Sequence, residues 1–419
     1  MSTVIGTVIG SGIFFKSEQI LNMTDGNVLW GLIVFLAGGG IMLLCAASFA
    51  SFSEEAGGEG GLVGFAEKAC GRGFARFTAI FSADFYLPSM TATLAYVSGG
   101  YFCRLIGNED SDVIRIALSG ALLVVFFAVN TLAPRGASRF QILSTAVKLL
   151  PLIAVGAVGC VSILGRGGID LSLSPIGKDF MSALLASAFA YEGWIAVTAL
   201  GGEVGSARKN MPAALVLGAL SVLAVYVFYY FGVVGAAEGA SSSIAFSNIF
   251  GESGGRIMLL FVTLSCLGAL NGLTMSVVRG HYVLSQYLGR DDRADRLFGE
   301  ISEKTGIPVL SGIMGLLVSE VWLLLLTVSG AQPSISLGLD PAEASISLMY
   351  ALYVPILLMM TVKMRSKGVI RRFLLPLLGA IAATFIAVSA PVAYGGTMLA
   401  FCALVAAVAL LFSAFTDGD

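Results

Sequence analysis

The chain has 419 residues, of which 57% are hydrophobic and 12% are charged, and its mean hydropathy is +0.90. This composition is that of an integral membrane protein and excludes a soluble domain with a large apolar core. The formal net charge of −2 argues against a nucleic-acid partner, because proteins that bind nucleic acids are typically basic. The chain is therefore expected to fold with the lipid bilayer as its solvent.

Apolar runs of about 20 residues, the length that crosses the hydrocarbon core of a bilayer, recur along the whole chain. They predict about twelve membrane helices in a single all-α membrane domain over residues 1–419. The predicted spans lie near residues 4–21, 28–52, 77–103, 113–130, 138–164, 179–201, 212–235, 256–285, 308–329, 344–363, 371–391 and 394–415. Lysine and arginine collect in the connections on one side of these spans, and that side is expected to be cytoplasmic. We therefore predict a multi-pass plasma-membrane protein with both termini in the cytoplasm.

The first predicted span is interrupted at its centre by Gly10, Ser11 and Gly12. Each glycine costs a helix about 1 kcal/mol relative to alanine. An interruption in lipid leaves backbone N–H and C=O groups unpaired, so that something polar must satisfy them. The amides that open the second half-helix face an anion, and the carbonyls that end the first half face a cation. Two interpretations fit: a zwitterionic ligand at the break, or a kink that packs closely against another helix.

Three later spans each carry an ionisable residue far from their ends, namely Asp84, Lys148 and Glu320. Such residues are costly in a membrane and are functional candidates by default. Asp84 is expected either to form a structural pair inside the bundle or to carry a proton, and no role is predicted for Glu320. Lys148 lies about ten residues from the inner end of its span, hence ~15 Å deep at a rise of about 1.5 Å per residue. That depth is near the bilayer midplane.

The sixth predicted span has a second interruption, at Glu192 and Gly193, about 180 residues after the first. Two broken helices in corresponding positions of two halves are typical of transporters built from inverted repeats. The repeats are predicted to cover about 4–164 and 179–363, and two extra helices are predicted at 371–415. Such a protein binds its substrate near the midplane, where the broken helices meet.

The residue inventory does not favour an enzyme. The chain has one histidine, His281, and six cysteines without a CxxC motif or a paired spacing. This pattern predicts neither a disulfide framework nor a metal site, and it offers no nucleophile–base cluster for catalysis. We expect no cofactor and no bound metal.

Three motifs, in order along the chain, resemble those of the amino acid–polyamine–organocation (APC) permeases. They are GTVIGSGIF at 6–14, FAYEGW at 189–194, and Glu203 followed by RKNMP at 208–212. Within this superfamily the chain is most similar to bacterial members of the L-type amino acid transporter (LAT) group, such as serine/threonine and alanine/serine/cysteine exchangers. The resemblance implies a LeuT-like fold of ten core helices plus two, with helices 1 and 6 unwound. It also implies sodium-independent exchange of neutral, small L-amino acids by alternating access.

The resemblance assigns roles to main-chain groups at the two breaks. The amides of Ser11, Gly12 and Ile13 would hold the substrate carboxylate. The carbonyls of Val8, Phe189 and Glu192 would receive the ammonium group, and the Phe189 ring would act as a gate. The complete predicted substrate-binding set is Val8, Ile9, Ser11, Gly12, Ile13, Phe189, Ala190 and Glu192. Mammalian relatives usually have glycine in place of Glu192, whose side chain would narrow the pocket, sense protons or reach toward the interface.

Four residues are predicted to couple or gate the movement: Lys148, Gly10, Phe189 and Asn271. The resemblance implies that the Lys148 ammonium takes the place of the cation that bridges the first and eighth helices in sodium-coupled members of the fold. It would bond the backbone near Gly10. The alternative is a lysine that pairs with Asp84 or extends its side chain to the inner interface. Asn271 either lines the cavity or forms hydrogen bonds between helices.

Two other functions remain open from the sequence. A proton-coupled symporter would use Glu192 or Asp84 as the proton carrier. A nutrient receptor would need a signalling domain, which no predicted loop is long enough to supply. The expected partners are neutral L-amino acids and the lipid bilayer. No accessory glycoprotein is expected, because Cys103 lies at a helix end and not in the outer loop where the mammalian group has its linking cysteine.

Overall fold

The protein is described by a computed structural model that covers most of the chain. The described residues are 1–10, 12–56, 61–108, 111–172, 175–177, 179–203, 205–237, 242–288, 297–331, 341–364 and 368–415. Within these ranges every regular segment is helical. The structure therefore agrees with the predicted all-α class.

Seventeen α-helices are numbered here in chain order. The first nine are α1 (Ser2–Val8), α2 (Gly12–Met23), α3 (Val28–Ala56), α4 (Gly61–Cys70), α5 (Arg72–Ile80), α6 (Leu87–Leu105), α7 (Asp112–Leu132), α8 (Pro134–Gly165) and α9 (Phe180–Ala190). The others are α10 (Ala207–Ala237), α11 (Ser242–Phe250), α12 (Gly254–Val277), α13 (Gly280–Ser285), α14 (Val309–Ala331), α15 (Pro341–Lys363), α16 (Leu375–Tyr394) and α17 (Gly396–Phe415). Short 3₁₀ segments lie at Ile195–Glu203 and Gly251–Ser253, and π-helical segments lie at Phe81–Tyr86 and Ile370–Leu374.

Nine helical stretches of the described chain are long and apolar enough to cross a membrane. The first predicted span is not among them, because it is divided into the short helices α1 and α2. The third is helical across 72–105, but its many serine, threonine and glycine residues make it less apolar. The last predicted span contributes a shorter apolar helix at Met398–Leu410. The multi-pass architecture is thus confirmed, while the count of twelve and the inverted repeat stay predictions.

The long helices turn large apolar side chains outward. On α8, Leu143, Leu150 and Val161 are each more than 60% exposed, whereas Lys148 of the same helix is completely buried. In water such an apolar surface would cause the protein to associate with other molecules. In a bilayer it contacts lipid tails, which are equally apolar. On α8 the polar side chains of Gln141, Ser144, Thr145 and Lys148 therefore face the protein interior, opposite to the arrangement of a soluble bundle.

The two broken helices lie at the centre of the molecule. Helix α1 packs against α8, α10 and α12, and helix α2 packs against α9. The chain leaves helical geometry at Ile9, whose φ of −73° and ψ of 91° are extended. The chain leaves helical geometry again after α9, where Gly193 has a φ of +102°. Both interruptions predicted from the sequence are present in the structure.

Candidate functional site

The two breaks touch each other at two points, and at each point a glycine permits the close approach. A Cβ atom on Gly12 would lie 3.0 Å from the Cα atom of Ala190. A Cβ atom on Gly193 would lie 3.1 Å from Cγ2 of Thr7, and the positive φ of Gly193 is a conformation that side chains disfavour. The start of α2 and the end of α9 are therefore held at backbone-to-backbone distance.

A cavity with an empty volume of about 380 Å³ lies between the breaks. Its described lining comes from both broken helices, from α6 and from α12: Thr7, Val8, Gly10, Gly12, Met90, Leu94, Phe189, Glu192, Gly193, Ala269 and Leu273. The cavity is narrow, because a Cβ atom on Gly10 would lie 3.0 Å from Cβ of Ala269.

The structure brings together part of the predicted substrate-binding set. Val8, Gly12, Phe189 and Glu192 line the cavity, and so does Gly10 of the coupling set. Other predicted members are buried beside it without lining it: Ile9, Ile13 and Ala190. Ser11 lies outside the described residues.

Helix ends supply the electrostatics at the cavity. Helix α2 begins at Gly12, so the N–H groups of its first turn have no carbonyl partner within the helix. Helices α1 and α9 end at Val8 and Ala190, where carbonyl groups are left without amide partners. The cavity therefore has a partial positive charge from one half-helix and partial negative charges from two others. This arrangement matches the two charges of a zwitterion.

Tyr226 of α10 ties the two breaks together, and the sequence analysis did not identify it. Its hydroxyl oxygen lies 3.1 Å from the Val8 carbonyl oxygen and 2.9 Å from the Ala190 carbonyl oxygen. A carbonyl oxygen has two lone pairs, so Val8 can still accept a hydrogen bond from a ligand. The sequence feature that could have identified Tyr226 is its position in the middle of an apolar span, since a buried tyrosine hydroxyl needs a hydrogen-bond partner.

Lys148 reaches the backbone of the first break. Its Nζ atom donates to the carbonyl oxygens of Gly6 at 2.7 Å, Ile9 at 2.5 Å and Ser265 at 3.3 Å. The Ser265 hydroxyl also donates to the carbonyl oxygen of Gly10 at 3.0 Å. One ammonium group therefore connects α8, the end of α1 and α12.

The side chain of Asp84 pairs with a histidine and not with Lys148. Its Oδ1 atom lies 2.9 Å from Nε2 of His281, and its backbone carbonyl accepts a hydrogen bond from Nε1 of Trp322. Asp84 belongs to the π-helical segment Phe81–Tyr86, which turns it toward α13 and α14. The predicted structural pair of Asp84 is thus made with the histidine.

Asn271 forms hydrogen bonds between helices and does not line the cavity. It accepts a hydrogen bond from Nδ2 of Asn130 at 3.0 Å, and it donates to Oε1 of Gln141 at 2.7 Å and to the carbonyl oxygen of Ala137 at 3.1 Å. These contacts join α12 to α7 and α8. Of the two roles predicted for Asn271, the structure shows hydrogen bonding between helices.

Glu192 points its carboxylate toward the third span. Its Oε1 atom accepts a hydrogen bond from the hydroxyl of Tyr86, and its Oε2 atom is buried without a hydrogen-bond partner among the described residues. Tyr86 lines a second cavity, of about 480 Å³, on the side that is expected to be cytoplasmic. The Tyr86–Glu192 hydrogen bond therefore lies between the two cavities.

The opposite side of the central cavity is closed by Phe189 and by an ion pair. Nζ of Lys16 lies 3.0 Å from Oε1 of Glu343 and 5.0 Å from the centre of the Phe189 ring. The side chains of Lys16 and Glu343 are only 13% and 5% exposed. These contacts join α2, α15 and α9 above the cavity, and the sequence analysis missed the pair.

A further set of contacts lies at the helix ends that are expected to be cytoplasmic. The hydroxyl of Tyr287 donates to Oε2 of Glu67 at 3.0 Å, and Nε of Arg76 donates to the Tyr287 carbonyl at 2.9 Å. Burial and the adjacent Glu67 carboxylate raise the pKa of the Tyr287 phenol, which therefore remains a donor at neutral pH. The short helix α4 is thus tied to the end of α13.

The amino-acid sequence is similar to those of known amino acid transporters. A family model described as amino acid permease matches residues 1–416. The serine/threonine exchanger SteT of Bacillus subtilis (strain 168) is 29% identical over 304 residues, which is 68% of this chain and 66% of that protein. The human b(0,+)-type amino acid transporter 1 is 26% identical over 343 residues, 77% of this chain and 68% of that protein. The mouse Asc-type amino acid transporter 1 is 29% identical over 288 residues, 64% of this chain and 54% of that protein.

Proposed function

The chain belongs to the amino acid permease family, whose model matches residues 1–416, and we propose that it is a sodium-independent exchanger of neutral, small L-amino acids. The relatives named above as an exchanger and as amino acid transporters support the substrate class and the exchange mode. The proposal also includes the LeuT-like inverted repeat, an orientation with both termini in the cytoplasm, and function without an accessory glycoprotein. The alternative is a proton-coupled amino acid symporter.

The single observation that carries the proposal is the meeting of the two broken helices at one cavity inside the helix bundle. The first residue of α2, Gly12, lines the same cavity as Val8 at the end of α1 and Phe189 near the end of α9. Every amino acid shares one carboxylate and one ammonium group, so main-chain recognition accepts the class, while side chains shape the selectivity. Binding by half-helix ends at the midplane is the usual arrangement in transporters with broken helices.

The position of Lys148 supports the proposed sodium independence. A broken helix in a membrane needs a cation or donors for the carbonyls that it frees. The Lys148 ammonium already donates to the Gly6, Ile9 and Ser265 carbonyls, which belong to α1 and α12 and to the break between α1 and α2. A donor group of the chain itself thus serves the freed carbonyls that a sodium ion would otherwise coordinate.

Exchange requires that the cavity opens to one side at a time. In the present structure Phe189 and the Lys16–Glu343 ion pair close the side that is expected to face outward. The Tyr86–Glu192 hydrogen bond separates the cavity from the larger one on the inner side. A substrate that stabilises the closed arrangement would lower the barrier between the two open ones. The loaded protein would then change its facing side faster than the empty protein, which is the requirement for an exchanger.

The test is uptake of radiolabelled serine and alanine into proteoliposomes with and without internal amino acid. An exchanger shows uptake only against internal substrate, it is unaffected by replacing sodium with choline, and it runs without a pH gradient. Uptake into empty vesicles that a pH gradient accelerates would favour the symporter, with Glu192 or Asp84 as the proton carrier. Empty and loaded vesicles with equal, negligible uptake of both substrates would contradict the proposal.

A further inference from the structure

Glu320 is a carboxylic acid in the middle of a membrane-spanning helix, and no step of the proposed exchange uses it. It is the twelfth of the 23 residues of α14, about 17 Å from either end at a rise of about 1.5 Å per residue. Its side chain is half-buried and forms no hydrogen bond or ion pair with any residue that the structure describes. An ionisable side chain at this depth is costly until it has a partner.

The carboxyl group lies at the surface where α14 packs against α7. A Cβ atom on Gly120 of α7 would lie 3.3 Å from Oε2 of Glu320. On α14, Ile313, Leu317 and Leu324 share the face of Glu320, because the four positions are spaced by four, three and four residues. These three apolar side chains are 48%, 56% and 57% exposed. The four residues form a stripe, here called the α14 seam, with the spacing of the contact positions in a pair of helices.

Lipid supplies no partner for the carboxyl group at the centre of the α14 seam. The headgroups lie about 15 Å from the midplane, and the tails have no hydrogen-bonding groups. A partner must therefore be a membrane helix with a polar group at the same depth. A second copy of this chain meets that requirement, because two copies inserted in the same orientation hold Glu320 at the same depth.

The carboxyl group is also complementary to itself. A bilayer disfavours its charged form, and the acid form has one O–H donor together with acceptor oxygens. Two such groups related by a two-fold axis can each donate to the other, as an interface between identical surfaces requires. The exposed leucine and isoleucine side chains of the α14 seam would pack on either side of this pair.

We propose that the α14 seam is the interface of a homodimer, in which the two Glu320 carboxyl groups form hydrogen bonds across a two-fold axis normal to the membrane. The central cavity is separate from this interface, because none of its described lining residues belongs to α7 or α14. Each copy would keep its own cavity. The pairing does not depend on which substrate the protein carries.

The experiment measures dimerisation of the full-length protein in proteoliposomes, by single-molecule photobleaching of singly labelled copies over a range of protein-to-lipid ratios. The wild type should pass from monomer to dimer as its density rises. Glu320→Leu should raise the dissociation constant about three- to thirtyfold, the effect expected for a lost polar pair between membrane helices. Glu320→Gln should dimerise nearly as well as the wild type, because an amide also has both donors and an acceptor.

Oxidative cross-linking tests the geometry with two neighbouring leucines. Leu324 belongs to the α14 seam, whereas Leu325 is turned about 100° away from it, and the two are 57% and 52% exposed. Leu324→Cys should therefore form a disulfide-linked dimer at least about tenfold faster than Leu325→Cys. The unsubstituted protein, which keeps its six cysteines, sets the background rate.

Three results would overturn the proposal. The first is a wild type that stays monomeric at every density, which needs no variant. The second is an unchanged dissociation constant in a monodisperse Glu320→Leu protein, because a dimer would then form through another surface. The third is cross-linking at position 325 as fast as at position 324.

Discussion

Removing the ammonium group of Lys148 is the perturbation with the clearest expected result. In Lys148→Met the new side chain is similar in length but apolar, so that it still fills its site on α8. The carbonyl of Gly6 loses its 2.7 Å donor, while Ile9 keeps only the 3.4 Å contact from the Ser265 hydroxyl. Each buried carbonyl left without a donor costs about 1–3 kcal/mol. The arrangement in which α1, α8 and α12 are joined therefore loses about 2–5 kcal/mol relative to arrangements in which they are apart.

This loss has a measurable consequence for exchange. Because 1.4 kcal/mol is a factor of about ten, the equilibrium between facing states should shift by more than about tenfold, and the exchange rate should fall correspondingly. The assay is serine counterflow in proteoliposomes, together with labelling of cysteines placed in the two vestibules, at matched expression and monodispersity. Lys148→Arg is the charge-conserving control and should retain more exchange than Lys148→Met.

Two results would refute this reasoning. One is a wild-type exchange rate and unchanged labelling in a well-folded Lys148→Met protein. The other is a loss of exchange that a compensating change at Asp84 fully restores, because Asp84 is paired with His281 in the structure. Either result would make the contacts of Lys148 to the backbone irrelevant to transport.

Other expected outcomes test orientation, recognition and closure. An impermeant thiol reagent added outside intact cells should label Asn108→Cys but not Lys304→Cys, both at exposed positions, and labelling of the second would invert the topology. Methyl esters and N-acetyl derivatives of serine should compete at least tenfold more weakly than serine, and Gly12→Val should abolish transport, because its Cβ atom would lie 3.0 Å from the backbone of α9. Equal competition by the ester would contradict main-chain recognition. Lys16→Met should shift the protein toward outward-open forms, since it removes the cation from a largely buried ion pair that joins α2 to α15. Glu54→Gln, in an ion pair with exposed partners, is its control and should change little.

The two breaks and the candidate Lys148 could be predicted from the sequence, because a bilayer offers backbone polar groups and charges few partners. Backbone groups in lipid must be paired, so glycines at 10 and 12 and the Glu192–Gly193 pair identified both breaks without any tertiary information. The same constraint made Lys148 a candidate, since an ammonium in mid-membrane needs acceptors and freed carbonyls are the nearest ones. The motifs around these residues led to the family that the comparison with known proteins then confirmed.

Other features depended on contacts between residues far apart in the chain. The ion pair of Lys16 and Glu343 spans 327 positions, and Tyr226 meets the Val8 carbonyl across 218. Neither contact produces a pattern in the local sequence from which it could be predicted. In a soluble helix the apolar stripe marks the buried face, but in a membrane helix both faces are apolar, so periodicity does not say which neighbour a side chain meets. For Asn271 the sequence allowed a cavity wall or a bond between helices, and only the packing of α12 against α7 and α8 decided between them.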